Sequence, residues 1–241
     1  MTSTLMQALT ETPEAGGDTM ADRLFDLLSE AIINGEMAPG TRIREPDLAA
    51  QYGTSRAPLR EALRRLEERK LITRTPRMSA RVTVVTPALI AEIYAIREVL
   101  EGVAAREAAN RVTDADIAHL RSLLMSHKSQ FDGHNVDTYR MGSADDDFHF
   151  FIIRCSGNSA LIHILCDEYY NLIRLFRRQH RLVGGRAQRA FIEHQRIADA
   201  IADRDGELAE ILMRRHIAAA LDGLLHAVAA SPIAINQGEA P

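Results

Sequence analysis

The chain has 241 residues, 46% of them hydrophobic and 26% charged, with a formal net charge of −4. That length holds one large domain or two ordinary ones, and the composition excludes a disordered chain, a collagen and a disulfide scaffold. No run approaches the roughly 18 uncharged apolar residues of a membrane span. The opening MTSTLMQALTETPEAGGDTM has no basic cluster ahead of an apolar core, so a cytoplasmic protein with no membrane partner is expected.

Residues 1–19 lack apolar periodicity and read as a disordered tail. Leu24, Leu27, Leu28, Ala31 and Ile32 then recur at helical spacing, and Asn34-Gly35 stops that helix. After the Pro39-Gly40 turn, a short helix is expected from about Glu45 to Tyr52. Gly53 suits a tight turn. Ser55 is a favourable N-cap for a further helix with Leu59, Ala62, Leu63 and Leu66 on one face. Arg56, Arg60 and Arg64 recur every four residues on another face. Two short strands are expected near Ile72–Arg74 and Arg81–Val84, joined by TPRMSA as a wing that carries Arg77.

Charge divides the chain in the same place. From Ser55 to Val82 nine Arg/Lys face three Glu, whereas from Thr86 onward 17 basic residues meet 21 acidic ones. A basic patch on an otherwise acidic chain points to a polyanion partner at one end. Only Lys70 and Lys128 are lysine, and arginine suits two-pronged contacts to phosphate or guanine. A helix, a Gly turn and an arginine-faced helix form a helix-turn-helix, whose second helix fits the major groove of double-stranded DNA. With 5% aromatic residues and no Trp, a stacking platform for single strands is not expected.

The segment from about Leu24 to Val84 resembles the winged helix of the GntR superfamily of bacterial transcription regulators. The matching pieces are GEMAPG, DLAAQYG and SRAPLREALRRLE. The resemblance implies that Ser55, Arg56 and Arg60 contact operator DNA, and Arg44, Arg64 and Arg77 join them as expected contacts. Pro46 stands where the family often has a basic residue, and Lys70 and Ser79 stand where it usually has Gly.

From Thr86 onward the pattern is helical, so the expected fold is mainly α. A winged helix-turn-helix domain (20–85) precedes an all-helical antiparallel bundle (86–230), with a loose tail at 231–241. Thr86-Pro87 opens the first helix, on which Leu89, Ile93, Ile96, Leu100 and Val103 are expected to face the core. Further helices are expected from Thr113-Asp114, about Val136 to Cys155, about Ser159 to Arg181, Arg186 to Arg204 and Glu207 to Ala230. Cys155 and Cys166, eleven positions apart, read as reduced structural thiols.

All nine histidines lie between His119 and His226. Asp145 and His149 share a helical face with Met141, Phe148 and Ile152. His194 shares a stripe with Phe191, Ala198 and Ile201, and His216 one with Leu208 and Leu212. Burying these four groups unpaired costs several kcal/mol, and a divalent metal satisfies all of them. Spacing alone leaves a hydrogen-bonded cluster equally open. Three nitrogens and one oxygen suit Zn²⁺, Ni²⁺, Co²⁺, Mn²⁺ or Fe²⁺ better than Ca²⁺. Such a site keeps one positive charge, which favours a small carboxylate as effector.

This half resembles the FCD effector-binding domain of the FadR-like branch, through IREVLEGVAA, DDDFHFFIIRCSGN, EHQRIADAI and MRRHI. The resemblance implies metal ligands at Asp145, His149, His194 and His216, an effector-binding arginine at Arg97, and a homodimer. For Arg97 the other reading is a helix-surface ion pair with Glu101. The resulting expectation is a regulator, not an enzyme, whose operator affinity answers to an organic acid at a Zn, Ni or Mn site. The rivals are a metal-dependent hydrolase, a regulator with the metal itself as signal, and a regulator without metal.

Overall fold

The computed structural model describes residues 19–75, 79–132, 147–180 and 186–230. It divides into two compact units. One holds the residues through Val85 together with Glu168–Arg178, and the other holds Thr86–Asp167 and the residues from Gln179.

In the first unit, α1 (Met20–Ile33) begins at Thr19, whose hydroxyl accepts from the Asp22 amide while the Asp22 carboxylate accepts from the Thr19 amide. The Thr19 hydrogen bonds, with help from Arg65, pull the Asp22 pKa down to about 2. Helix α2 (Glu45–Gln51) runs into Tyr52-Gly53-Thr54. Gly53 takes φ +59°, and the Thr54 amide reaches back to the Ala49 carbonyl at 3.0 Å. That turn delivers the chain into α3 (Arg56–Glu68). Leu24, Leu28, Leu59, Leu63 and Leu66 are fully buried where α1 and α3 pack. Each such side chain contributes about 1.5–3 kcal/mol.

Helix α3 closes with Lys70 at φ +59°, the Leu71 amide bonding the Leu66 carbonyl at 3.0 Å. Strands β1 (Ile72–Thr73) and β2 (Arg81–Val82) then pair antiparallel, Ile72 opposite Val82. Arg42 adds an isolated bridge to Arg81 that the sequence pattern did not announce. Within the same unit Arg174 grips Glu30 of α1 with both Nη groups, at 2.6 and 3.2 Å.

The second unit opens with α4 (Pro87–Arg111), where the Thr86 hydroxyl accepts from the Leu89 amide. It continues through α5 (Asp114–Asp132), α6 (Phe148–Cys155) and α7 (Ser159–Ile162). Helix α8 (Tyr170–His180) belongs to the first unit as far as Arg178, and α9 (Arg186–Ala202) and α10 (Gly206–Ala230) complete the described helices of the second. Helices α4 and α10 make the most extensive pairing. Gly102 permits it: a Cβ there would meet the Arg214 stem at 2.6 Å.

Four expectations need correction. The helix expected from Ser159 to Arg181 is not continuous: α7 passes into a π-helical segment, His163–Glu168, before α8 begins. The buried face of α4 includes Ile90, Ile93, Tyr94, Arg97, Glu101, Ala105 and Ala108; of the expected stripe Ile93 is buried, Leu89, Leu100 and Val103 are half-buried, and Ile96 is 40% exposed. Alanines on that face allow close approach, and the two opposite charges neutralise each other inside it. Leu208 is likewise exposed, because α10 turns Ala209, Met213, His216 and Ile217 inward instead. Finally, Ser55 occupies the N-cap position of α3 but makes no capping hydrogen bond.

Candidate metal centre and nucleic-acid interface

Three helices of the second unit each deliver one histidine to a common point. On α6 the buried Asp147 side chain caps the helix by accepting from the His149 amide at 2.9 Å, which sets His149 in the first turn. His194 comes from the inward stripe of α9 and His216 from that of α10. All three are 5% exposed. The Nε2 atoms of His149 and His194 are 3.1 Å apart, and so are those of His194 and His216. Phe148 stacks on the His194 ring at 4.4 Å and 21°, which fixes its plane.

The far side of two of these rings decides their tautomers. His149 Nδ1 lies 2.7 Å from a Glu101 carboxylate oxygen, and His216 Nδ1 lies 2.6 Å from one of Glu193. An ionised carboxylate only accepts, so each Nδ1 carries the proton and each Nε2 presents a lone pair. His194 Nε2, between them, has at most one proton to give, and it cannot satisfy both neighbours. At least one Nε2 lone pair therefore faces a neighbouring ring nitrogen across 3.1 Å with no proton between them. A cation resolves this, because imidazole nitrogens bonded to one Zn²⁺ at about 2.0–2.1 Å sit at about this mutual spacing. The donor set fits a divalent transition ion, and carboxylate-backed imidazole is the usual outer arrangement of such sites. His149, His194 and His216 form the group able to hold a metal among the described residues. Asp145, the expected fourth ligand, lies outside the described residues.

Arg97 is 2% exposed and its Nε donates to Glu101 at 2.7 Å. Its guanidinium lies over the Tyr94 ring at 4.6 Å. Arg97 thus pairs with Glu101, but in the interior and not on the helix surface. Glu193 was missed by the sequence reading, and Glu101 was read only as a partner for Arg97, not as a neighbour of His149. Their signals were present, Glu101 four residues after Arg97 and Glu193 beside His194, but neither shows which histidine it will meet. Asn158, at the turn before α7, caps that helix by accepting from the Leu161 amide.

The first unit carries the cationic surface. Arg44, Ser55, Arg56, Arg60 and Arg64 are all exposed. Arg56 and Arg44 pair with no carboxylate among the described residues. Arg60 Nε rests 2.8 Å from Glu45, and Arg64 is held by Glu61 and Glu68. Exposed pairs of this kind are worth about 0–1 kcal/mol and exchange readily for phosphate. Ser55 stands at the N-cap of α3 without a capping hydrogen bond, at a helix N-terminus, where backbone amides favour anions. Arg42, Arg44 and Arg74 line a cleft of about 560 Å³ in the same unit. Arg77 lies outside the described residues.

Comparison with known proteins agrees with both units. The profile of "Bacterial regulatory proteins, gntR family" matches residues 20–82, and that of the FCD domain matches residues 92–219. The Nta operon transcriptional regulator of Aminobacter aminovorans is 30% identical over 198 residues, 81% of this chain and 90% of that protein. The galactonate operon transcriptional repressor of Escherichia coli K12 is 25% identical over 209 residues, 78% of this chain and 90% of the relative. The solved structure of E. coli McbR/YncC covers 87% of this chain and 99% of its own, with a TM-score of 0.69 and 20% identity, and shows the shared fold.

Proposed function

This chain belongs to the GntR family of bacterial transcription regulators and carries an FCD domain, and from that premise we propose a repressor whose hold on operator DNA is set by a small organic acid at a metal centre. The family relatives are transcription regulators, so the hydrolase reading is set aside. In this reading the first unit docks α3 in the major groove of duplex DNA. Arg56 and Arg60 meet the bases or flanking phosphates, Ser55 and the α3 N-terminus a phosphate, and Arg44, Arg64 and Arg77 the backbone. A homodimer places two such helices on one palindrome. Exposed Val99 on α4 and Ile211 on α10, 49% and 47% accessible, are apolar surface for a second copy to cover. A cytoplasmic setting follows from the DNA partner; no described helix is long and apolar enough to cross a membrane.

In the second unit His149, His194 and His216, with Asp145, hold a divalent transition ion, Zn²⁺, Ni²⁺ or Mn²⁺. When bound, that ion supplies a Lewis-acidic positive centre that attracts a carboxylate oxygen. Arg97 supplies the second grip, since its Nη groups remain after Nε is given to Glu101. The relative named for galactonate, itself a carboxylate, is in keeping with this class. Effector binding changes operator affinity to the extent that the two protein arrangements bind the acid unequally.

The observation that carries the reading is the convergence of three Nε2 atoms whose neighbours lock two of them as lone-pair donors. Metal content by plasma mass spectrometry, on protein purified without chelator or His-tag, tests it. Wild type should hold near-stoichiometric metal, and His194→Ala should lose it. Metal in neither, even after reconstitution with Zn²⁺, Ni²⁺ and Mn²⁺, overturns the metal reading and leaves a regulator with hydrogen-bonded histidines.

A further inference from the structure

Resting on that reading of the site, we propose that Glu101 is a positioning residue that ties the metal-binding histidine to the effector-binding arginine, so that metal and carboxylate reinforce each other. Both of its oxygens are committed. One accepts from Arg97 Nε at 2.7 Å and the other from His149 Nδ1 at 2.7 Å. At 2% exposure, it has no water shell to fall back on. One buried negative charge is therefore shared between a guanidinium and an imidazole that serve different ligands.

The sharing has a direction. When His149 Nε2 gives its lone pair to a cation, electron density leaves the ring and Nδ1–H becomes a stronger donor. The Glu101 carboxylate is drawn towards His149, and its hold on Arg97 Nε loosens. Arg97 cannot drift away, because its guanidinium plane is seated on the Tyr94 ring. Its Nη groups donate to no acceptor among the described residues. They form the planar edge that takes a carboxylate with two parallel bonds. Metal at the histidines thus raises the charge Arg97 offers to an anionic ligand, and linkage requires the ligand to raise metal affinity in return. Glu193 backs His216 in the same manner but is 29% exposed, and it serves as the comparison.

Two measurements on the full-length protein test this with Zn²⁺ alone as the probe. The first is Zn²⁺ affinity by chelator competition for wild type, Glu101→Gln, Glu101→Asp and Glu193→Gln. The second is the ¹⁵N–¹H resonance of Arg97 Nε, assigned with Arg97→Lys, followed as Zn²⁺ is added. Wild type should show a Zn²⁺-dependent shift of that resonance. Glu101→Gln should bind Zn²⁺ about 10–100-fold more weakly, with the Arg97 shift abolished even at saturating Zn²⁺. Glu193→Gln should weaken Zn²⁺ binding but keep the shift. Glu101→Asp keeps the charge while losing the double reach; it should also lose the shift, and it stands in where Glu101→Gln does not fold. Zn²⁺ binding by wild type with an unmoved Arg97 resonance overturns this inference alone. No binding of Zn²⁺ by wild type overturns the metal reading and the inference together.

Discussion

His194 Nε2 and His216 Nε2 stand 3.1 Å apart in the interior of the helical unit, although 22 residues separate them in the chain. Bringing two nitrogens this close is unfavourable unless a proton or a cation lies between them. Metal should therefore stabilise the folded unit. At a free metal concentration 100 times Kd the gain is about 2.7 kcal/mol. That corresponds to a rise of about 5–10 °C in Tm for a unit of this size. His216→Ala should unfold at the same temperature with Zn²⁺ or with chelator. The check is a thermal melt of both proteins in both conditions.

On the DNA side, the arginines of α3 are not equivalent. Arg56 is uncommitted, Arg60 leans on Glu45, and Arg64 sits between Glu61 and Glu68. Arg56→Ala should weaken binding to a selected duplex by about 10–100-fold, the range of a lost base contact. Arg64→Ala should cost less. Glu45→Gln frees Arg60 and removes a negative charge, so it should tighten binding, most at low salt. Mobility-shift titrations at two salt concentrations read all three.

Lys70 and Arg204 both take φ +59°, in the left-handed region, at the ends of α3 and α9. The Asp205 amide bonds the Ala200 carbonyl at 3.0 Å, the counterpart of Leu71 to Leu66. A Cβ is disfavoured in this conformation. Lys70→Gly and Arg204→Gly should each raise stability by about 0.5–1 kcal/mol after the looser unfolded chain is allowed for. Urea denaturation of each variant tests this, and the Arg204 change is expected to leave operator affinity untouched.

Burial lifts the thiols of Cys155 and Cys166, each to about 12. A raised value favours the neutral form in the folded state. The associated stability is complete below about pH 9 and is lost as pH climbs from there towards 12. Both cysteines should thus react slowly with thiol reagents at pH 7–8. Labelling with an aromatic disulfide reagent should accelerate only in strong alkali or in denaturant, and peroxide at neutral pH should leave operator binding unchanged.

Much of this architecture was legible because its signals are local. Thr86-Pro87 announces α4, Gly53 the turn before α3, and the spacing of His194, Ala198 and Ile201 the inward stripe of α9. The three histidines were legible as inward-facing groups, and the structure adds that their Nε2 atoms meet. Other features depend on partners distant in sequence. On α4 Ile93 was placed inward correctly but Ile96 was not, because the burial of Glu101 shows only once it is seen to neutralise Arg97. Glu193 and Glu101 became visible as partners of the rings only once His216 and His149 were placed beside them. The π-helical segment His163–Glu168 contains neither Gly nor Pro. A one-residue change of helical register leaves no mark on apolar spacing over so short a run. Asp145 and Arg77 fall outside the described residues, so their roles rest on the sequence resemblance.

The most direct test joins the two units in one experiment. A duplex selected from a random library is bound by metal-loaded wild type, and the operator dissociation constant is measured against a panel of small organic acids. The same titration is run after chelation and with Arg97→Gln. At least one acid should weaken operator binding by about 5–150-fold, the span of ordinary coupling energies, with the effect lost on chelation and in the variant. Weakening of equal size with and without metal would contradict the account, as would no response to any acid from a fully metal-loaded protein.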